Sequence, residues 1–321
     1  MNGLSLSKKY YEKYAPCLIR EFPHLEGKMA FGLVGEGSQC FGFDDEISRD
    51  HDFAPGFCIW LSEDDYAASG KSLQAAYAKL PKDFGGFRSS DALITAEGAK
   101  RLGVFSVNGF YEQFLGTDTV PEEAFEWLLI PESRLAVCTN GEVFHDPSGL
   151  FTDFRSRLLD FYPEDALRKK LAARAAVMSQ SGQYNLLRSI KRRDITGASL
   201  AAARFAEATL SMMHLLNRRY TPFYKWAFHS AMKLEHLAQC CPLLEKIWEV
   251  PHMISDGKMH EAYELAFNIT ESICTAVAEE LNRQNFSRGK SAFLQDHLND
   301  IMSGIKDPKI ASLPPMADIE G

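Results

Sequence analysis

The chain has 321 residues, of which 45% are apolar, 24% charged and 12% aromatic. These fractions are typical of globular proteins and exclude disordered, collagen-like and coiled-coil chains, and the length predicts about two domains. The formal net charge of −8 argues against bulk binding to nucleic acid or to anionic membranes, because proteins that bind these polyanions usually carry a basic excess.

The cysteines and the first residues bear on the cellular compartment. Seven cysteines, an odd number without a CxxC pair, predict reduced thiols rather than a disulfide framework. Residues 1–20 lack the apolar core of a signal peptide, and no stretch reaches the ~18 apolar residues of a spanning helix. We therefore predict a cytoplasmic protein with no membrane partner.

The first third of the chain predicts mixed α and β structure. Leu4–Phe22 has apolar residues at helical spacing, which predicts an amphipathic helix. Met29–Gly35, Phe57–Leu61 and Val104–Val107 are short apolar runs typical of buried strands. Between the last two, Ser62 and three acids predict the capped start of a helix that runs to Lys79, since acids favour a helix N-terminus.

Residues 134–146 predict a β-hairpin. Two β-rich arms, LAVCT and EVFHD, flank the dipeptide Asn140-Gly141. Both central residues of a type I′ turn need positive φ, which Asn and Gly tolerate. The pattern therefore predicts two paired strands.

From Pro163 to about Asp307 the pattern is helical. Helices are predicted over Glu164–Gly182, Tyr184–Arg192, Thr196–Arg219, Phe223–Cys241, Leu243–Val250 and His260–Asn285. The Ala-, Leu- and Met-rich stretch within the third of these predicts a central bundle helix. Lys306–Gly321 contains three prolines and no periodicity, which predicts a loose tail.

The stretch from Leu33 to Phe53 carries the strongest chemical signal. An apolar run is followed by Gly37-Ser38 and then by Asp50-His51-Asp52. Glycine lets backbone N–H groups approach a phosphate closely, because no side chain intervenes. Asp50 and Asp52 would project to one face of a strand, since residues i and i+2 share a face. The stretch predicts a phosphate-binding turn beside a pair of carboxylates.

Two neighbouring carboxylates repel each other, and a divalent cation relieves the repulsion. Mg²⁺ suits them, because it takes one or two carboxylates together with water and substrate phosphates. The alternative is that Asp50 and Asp52 are solvated loop acids. The glycines, Ser38 and the apolar flanks favour the metal site.

These residues resemble the Gly-Ser … Asp-x-Asp signature of the polymerase-β-like nucleotidyltransferases. The resemblance implies that Gly37 and Ser38 bind the triphosphate of ATP or another nucleoside triphosphate, and that Asp50 and Asp52 are the catalytic Mg²⁺ ligands. Members with a second, helical domain hold the acceptor there. One departure is notable: the superfamily usually supplies a third carboxylate from a later strand, where this chain offers Ser106 and Asn108, with Glu112 and Asp118 nearby.

Four segments, among them PESRLAV, SGQYNLLR and LLNRRYTPFYKW, resemble a bacterial family described by the DUF4037 domain. Arg188 and Lys225 lie in two of these segments and are predicted nucleotide contacts. Tyr184 and Asn185 are predicted acceptor contacts. Together the two resemblances cover roughly residues 25–235.

We therefore predict an α+β protein. A nucleotidyltransferase-like catalytic domain, with a mixed sheet and flanking helices, spans 1–155, a helical acceptor-binding bundle spans 156–305, and a tail spans 306–321. The predicted activity is Mg²⁺-dependent transfer of a nucleotidyl group from a nucleoside triphosphate to an acceptor that the sequence does not identify. The alternative is a catalytically weakened nucleotide sensor of the same fold, which the missing third carboxylate favours.

Overall fold

The computed structural model describes residues 2–47, 54–88 and 101–317. The chain forms two compact units. We name the unit made of residues 1–120 and 134–160 the sheet unit, and the unit made of residues 121–133 and 161–321 the helical unit. The sequence predicts a single domain boundary after residue 155. The observed division differs, because residues 121–133 belong to the helical unit. The fold is α+β, as the sequence predicts.

The sheet unit contains a four-stranded mixed sheet in the order β5-β2-β1-β6. β1 is antiparallel to β2 and β6, and β2 is parallel to β5. Every residue of β1, β2 and β5 is buried, which explains why these strands are apolar without alternation. The strands are Ala30–Leu33 (β1), Cys58–Leu61 (β2), Gly103–Ser106 (β5) and Glu142–His145 (β6); Asp83–Phe84 (β3) and Phe87–Arg88 (β4) form a separate two-stranded sheet.

In the described part of the sheet unit, helices pack around this sheet or connect its strands. Ser62 caps α3 as predicted, since its side chain accepts a hydrogen bond from the Asp65 amide. Aromatic side chains on α1 pack on the strands, with Tyr11 against Phe31 at 5.2 Å between ring centroids. The helices are Gly3–Glu21 (α1), Ser38–Phe41 (α2), Glu63–Tyr77 (α3), Val107–Leu115 (α4) and Leu150–Leu159 (α7).

The predicted hairpin over residues 134–146 is wrong. Residues 132–139 form the helix α6, and only Glu142–His145 is a strand, which pairs with β1. Leu135 and Cys138, one helical turn apart, are fully buried. Gly141 takes a φ of +66° just beyond the helix, so the glycine ends a helix instead of turning a hairpin.

The helical unit is built around α10, Ile195–Leu216, most of whose residues are buried. This confirms the central helix predicted from the Ala-, Leu- and Met-rich sequence. In the described residues, its other α-helices are Ala124–Leu128 (α5), Glu164–Met178 (α8), Leu187–Lys191 (α9), Tyr224–Ala231 (α11), Cys241–Lys246 (α12), Glu249–Ser255 (α13), Met259–Arg283 (α14), Leu298–Ser303 (α15) and Pro308–Ala311 (α16).

The predicted helix break at Gln183 is absent, because a π-helix over Ser179–Leu186 joins α8 to α9. Gly182 packs so closely on Phe205 that a Cβ at this position would lie 2.3 Å from the ring. The Gln183 amide donates to the Glu271 carboxylate (2.8 Å) and accepts from the Leu294 amide (3.1 Å). These contacts hold the segment in a continuous helical path.

The chain beyond residue 306 contacts the helical unit as far as it is described. Ile310 is fully buried, and the Lys169 ammonium donates to the carbonyl oxygens of Pro315 (3.1 Å) and Ala317 (2.5 Å). Across the described ranges, no helix is long and apolar enough to cross a bilayer.

Candidate functional site

The Gly-Ser turn directly follows β1. Gly35 and Gly37 have φ values of +134° and +105°, which L-residues with side chains rarely adopt. The Asn140 side chain fixes the turn, because it donates to the Gly35 carbonyl (2.7 Å) and accepts from the Gly35 amide (3.0 Å). Asn140-Gly141, misassigned to a hairpin, therefore braces this turn.

Two guanidinium groups lie beside this turn. Arg101 donates to the Glu36 carbonyl oxygen at 2.8 Å, and Arg134 pairs with the Glu36 carboxylate at 3.2 Å. The Arg101 guanidinium occupies the space on the side-chain side of Gly37, where a Cβ would collide with its Nη2. Guanidinium is a group that matches phosphate oxygens in geometry and charge. The backbone of the Gly-Ser turn thus lies beside two cationic side chains, Arg101 and Arg134.

Ser38 is the first residue of the one-turn helix α2 and is 4% exposed. The next residue, Gln39, both donates to the Ala54 carbonyl and accepts from the Ala54 amide, each at 3.4 Å. Ala54 comes two residues after Asp52 in the sequence. The turn is therefore connected by hydrogen bonds to the residue at which the described chain resumes.

Asp50 and Asp52, the predicted catalytic and metal-binding residues, lie outside the described residues. Within the ranges that the structure describes, no group of three or more histidine, cysteine, aspartate or glutamate side chains could hold a metal ion. The two aspartates as Mg²⁺ ligands remain a prediction.

Strand β5 is the strand on which the resemblance to nucleotidyltransferases predicts a third carboxylate. Ser106 is its last residue, and its hydroxyl caps α4 by accepting from the Gly109 amide at 3.1 Å. Asn108 belongs to α4. Glu112, also on α4, is exposed, as is Asp118 beyond it. β5 itself therefore supplies no acid.

The other predicted contacts belong to the helical unit. Tyr184 and Asn185 are exposed residues of the π-helix, and the Arg188 guanidinium lies 4.0 Å from the centroid of the Tyr184 ring. Lys225 is an exposed residue of α11, with its ammonium 5.5 Å from the Trp226 ring. The structure brings Tyr184 and Arg188 together, and it places Lys225 on a separate helix.

A pocket that the sequence analysis did not predict lies within the helical unit. Its volume is about 540 Å³. One wall is a face of α10 that includes Ala203, Ala206 and Leu210, and further walls come from α11 and from Trp248. The buried side chains of Glu132 and Arg174 contribute to the lining. We name this cavity the α10 pocket.

Glu132 is the centre of a buried hydrogen-bond network at the α10 pocket. Its carboxylate accepts from Arg174 (3.0 Å), from Thr221 (2.5 Å) and from Ser211, which is 2.9 Å from both oxygens. The Lys170 ammonium is 3.8 Å away. The Arg174 Nε also donates to Ser211 at 2.7 Å. Several donors thus share one ionised acid.

The pKa of Glu132 reflects this network. Burial alone would raise it, but Arg174, Lys170 and the hydroxyl donors outweigh the burial and lower the pKa from its ordinary value of 4.5 to about 2. A carboxyl group with so low a pKa is a poor general base near neutral pH. The arrangement indicates a fixed structural and electrostatic element of the pocket.

The sequence alone did not predict the residues that complete the Gly-Ser turn and the α10 pocket. Arg101 and Arg134 reach Glu36 across sequence separations of 65 and 98, and Glu132 reaches Ser211 across 79. Arg174 did carry a local signal, because it stands alone among the alanines and valine of AARAAV. A charged residue within such an apolar helical run indicates a buried partner.

Comparison with known proteins gives one family match. The family described as domain of unknown function (DUF4037) matches residues 127–227, which supports the resemblance noted in the sequence. The matched segment contains every lining residue of the α10 pocket except Trp248. No curated protein matches the chain.

Proposed function

We propose that the protein is a Mg²⁺-dependent nucleotidyltransferase that uses ATP or another nucleoside triphosphate. The observation that carries the proposal is the Gly-Ser turn after β1, which Asn140 fixes and Arg101 flanks. The Gly-Ser … Asp-x-Asp pattern supplies the second support, because it combines a phosphate-binding turn with carboxylates. The Gly37-Ser38 half of this pattern follows the fully buried strand β1, which the apolar run in the sequence predicts.

The geometry of the turn suits a triphosphate. Gly37 has no side chain of its own, and the Arg101 guanidinium occupies the space where a Cβ would lie, so that a phosphate approaching this backbone would meet a cation. Arg101 and Arg134 are held by the carbonyl and the carboxylate of Glu36. Guanidinium groups positioned in this way bind phosphate oxygens without further ordering of their side chains, which reduces the entropy cost of binding.

Asp50 and Asp52 would hold the Mg²⁺, since two carboxylates and the substrate phosphates together provide the oxygen ligands that this ion prefers. The bound ion would neutralise charge on the triphosphate. Among the residues of the chain, the proposal assigns Gly37 and Ser38 to orientation of the phosphates, with Arg188 and Lys225 as predicted nucleotide contacts. Tyr184 and Asn185 remain predicted contacts of the acceptor.

The proposed reaction is in-line attack by an acceptor oxygen or nitrogen on the α-phosphorus. The bond from the attacking atom to phosphorus forms, the bond to the bridging oxygen breaks, and pyrophosphate leaves with its electron pair. Such catalysis depends on positioning and electrostatics more than on covalent chemistry.

A nucleotide-binding protein without turnover is the second candidate. It is favoured by β5, whose last residue, Ser106, caps a helix where the related enzymes usually place a carboxylate. Nucleotide binding would not require a carboxylate at the end of β5, because the turn and the two aspartates remain. Turnover would be slow without another acid to activate the acceptor.

Calorimetric titration of ATP, GTP, CTP and UTP, with and without Mg²⁺, tests the proposal. The matched pair of variants is Asp50→Asn/Asp52→Asn and Asp64→Asn/Asp65→Asn, the latter two aspartates lying in the first turn of α3. We expect Mg²⁺-dependent binding of at least one nucleotide by the wild type and the α3 variant, and none by the Asp50/Asp52 variant.

The same titrations separate the two candidates when pyrophosphate is measured. Mg²⁺-dependent binding with pyrophosphate release in the presence of an acceptor panel supports the transferase. Binding without release supports the sensor. If a folded wild-type protein binds no nucleotide, both are wrong.

A further inference from the structure

We propose that the α10 pocket binds a neutral, planar aromatic small molecule. This site goes beyond nucleotide transfer and does not depend on it, because every residue that carries the argument belongs to the helical unit. The argument rests on the size of the cavity, on its walls and on the charge balance of its polar groups.

The size and walls fit a small organic ligand. Pockets for such ligands usually have volumes of about 300–1,000 Å³ and are mostly apolar, with a few convergent polar groups. The α10 pocket has about 540 Å³. Ala203 and Ala206 on α10 and Ala227 on α11 contribute small side chains to its walls, which leaves part of the cavity open to a ligand.

Aromatic side chains surround the same space. Phe223, Tyr224 and Trp248 line the pocket and are 50%, 74% and 48% exposed. Phe223 and Tyr224 contact each other at 4.5 Å between ring centroids. Exposed apolar side chains clustered at one cavity are typical of a binding site. A planar aromatic ligand would cover them and gain both apolar burial and ring–ring contact.

The charges favour a neutral ligand. Glu132 is already paired with Arg174 and hydrogen-bonded by Ser211 and Thr221. The exposed charges of the lining, Arg204 and Glu207, have opposite signs. The described lining therefore carries no net charge, so that a ligand of either sign gains no net electrostatic attraction to offset its loss of hydration.

Three probes with one ring system test the ligand class: 2-naphthol (neutral), 2-naphthoate (anionic) and 2-naphthylmethylamine (cationic at neutral pH). Each is titrated into the full-length protein without nucleotide or Mg²⁺ and followed by calorimetry. We expect 2-naphthol to bind at least about tenfold more tightly than either charged probe. Tighter binding of a charged probe would overturn the assignment of a neutral ligand.

Two matched pairs of variants locate the probe. Ala203→Trp fills the pocket, whereas Leu200→Trp places the same bulk on an exposed site of α10 outside it. Trp248→Ala removes a pocket aromatic residue, and Phe267→Ala removes one of similar exposure, 42%, that does not line the pocket. We expect Ala203→Trp to abolish 2-naphthol binding and Trp248→Ala to weaken it severalfold, while both controls bind like the wild type.

Circular dichroism and thermal unfolding confirm that each variant is folded before titration. The proposal is overturned if the folded wild type binds none of the probes, or if folded Ala203→Trp binds 2-naphthol as tightly as Leu200→Trp does. Because no nucleotide is present, this result is independent of the nucleotide titrations. Each proposal can therefore fail while the other stands.

Discussion

Glu36 in the sheet unit and Glu132 in the helical unit are two glutamates that each hold two cationic side chains. Arg134 pairs with the Glu36 carboxylate and Arg101 with the Glu36 carbonyl. Both side chains of the Glu36–Arg134 pair are about one-third exposed, at 30% and 31%. By contrast, the Glu132 and Arg174 side chains are only 6% and 11% exposed.

This difference in burial assigns the two clusters different roles. A partly exposed ion pair contributes little to stability, because water competes with it. In a buried pair, removal of one partner leaves an uncompensated charge in a medium of low dielectric constant. The Glu132 cluster is accordingly a fixed part of its pocket, while the Glu36–Arg134 pair contributes less to stability.

The largest effect is expected from Glu132→Gln. The variant leaves Arg174 and Lys170 buried without their counterion, and we expect it to lower the free energy of unfolding by about 3–5 kcal/mol. The measurement is urea-induced unfolding. Glu280→Gln is the control, because Glu280 is also buried while its partner Arg283 is 55% exposed. A loss of stability no larger than that of the control would show that the Glu132 network is not a structural element.

A smaller effect on the free energy of unfolding is expected from the titration of Glu132. The folded-state pKa of Glu132 is lowered from 4.5 to about 2, so the unfolded chain binds the proton more tightly at acid pH. The stabilisation is complete above about pH 4.5 and is lost as the pH falls toward 2. Urea unfolding between pH 6 and 3 should therefore show a steeper loss in the wild type than in Glu132→Gln. Equal slopes would contradict a lowered pKa.

The smallest effect on stability is expected from Glu36→Gln. The substitution removes a partly exposed ion pair with Arg134 and should change the free energy of unfolding by less than about 1 kcal/mol. The urea midpoints of Glu36→Gln and Glu132→Gln, measured together, test the comparison directly. If Glu36→Gln were the more destabilising of the two, burial would not be what separates the clusters.

Local patterns predicted a large part of the fold. Ser62 and the acids after it predicted the start of α3, and three apolar runs predicted β1, β2 and β5. The dipeptide Asn140-Gly141 led to the wrong prediction of a hairpin, because Asn-Gly occurs both in hairpin turns and directly after the end of a helix. The deciding contact, between Asn140 and Gly35, spans a sequence separation of 105. No local pattern contains such information.

The candidate sites were predictable to a smaller extent. Gly37-Ser38 is a local motif and could be found in the sequence, whereas Arg101 and the α10 pocket depend on tertiary contacts. The pocket also depends on small residues such as Ala203. In the sequence, an alanine that lines a pocket looks the same as an alanine at an ordinary helix–helix contact. Tyr184 and Asn185 were chosen from a motif, and they do not line the α10 pocket.

One titration tests most directly whether the Gly-Ser turn binds the phosphates of a nucleotide. ATP with Mg²⁺ is titrated calorimetrically into Gly37→Ala and into Gly86→Ala. Both glycines have positive φ, but a Cβ at Gly37 would meet the Arg101 guanidinium, and a Cβ at Gly86 has no atom within 4 Å. Gly86→Ala therefore controls for the cost of a side chain at positive φ away from the turn. We predict that Gly86→Ala binds like the wild type and that folded Gly37→Ala does not bind. Equal affinity in the two variants would contradict the account.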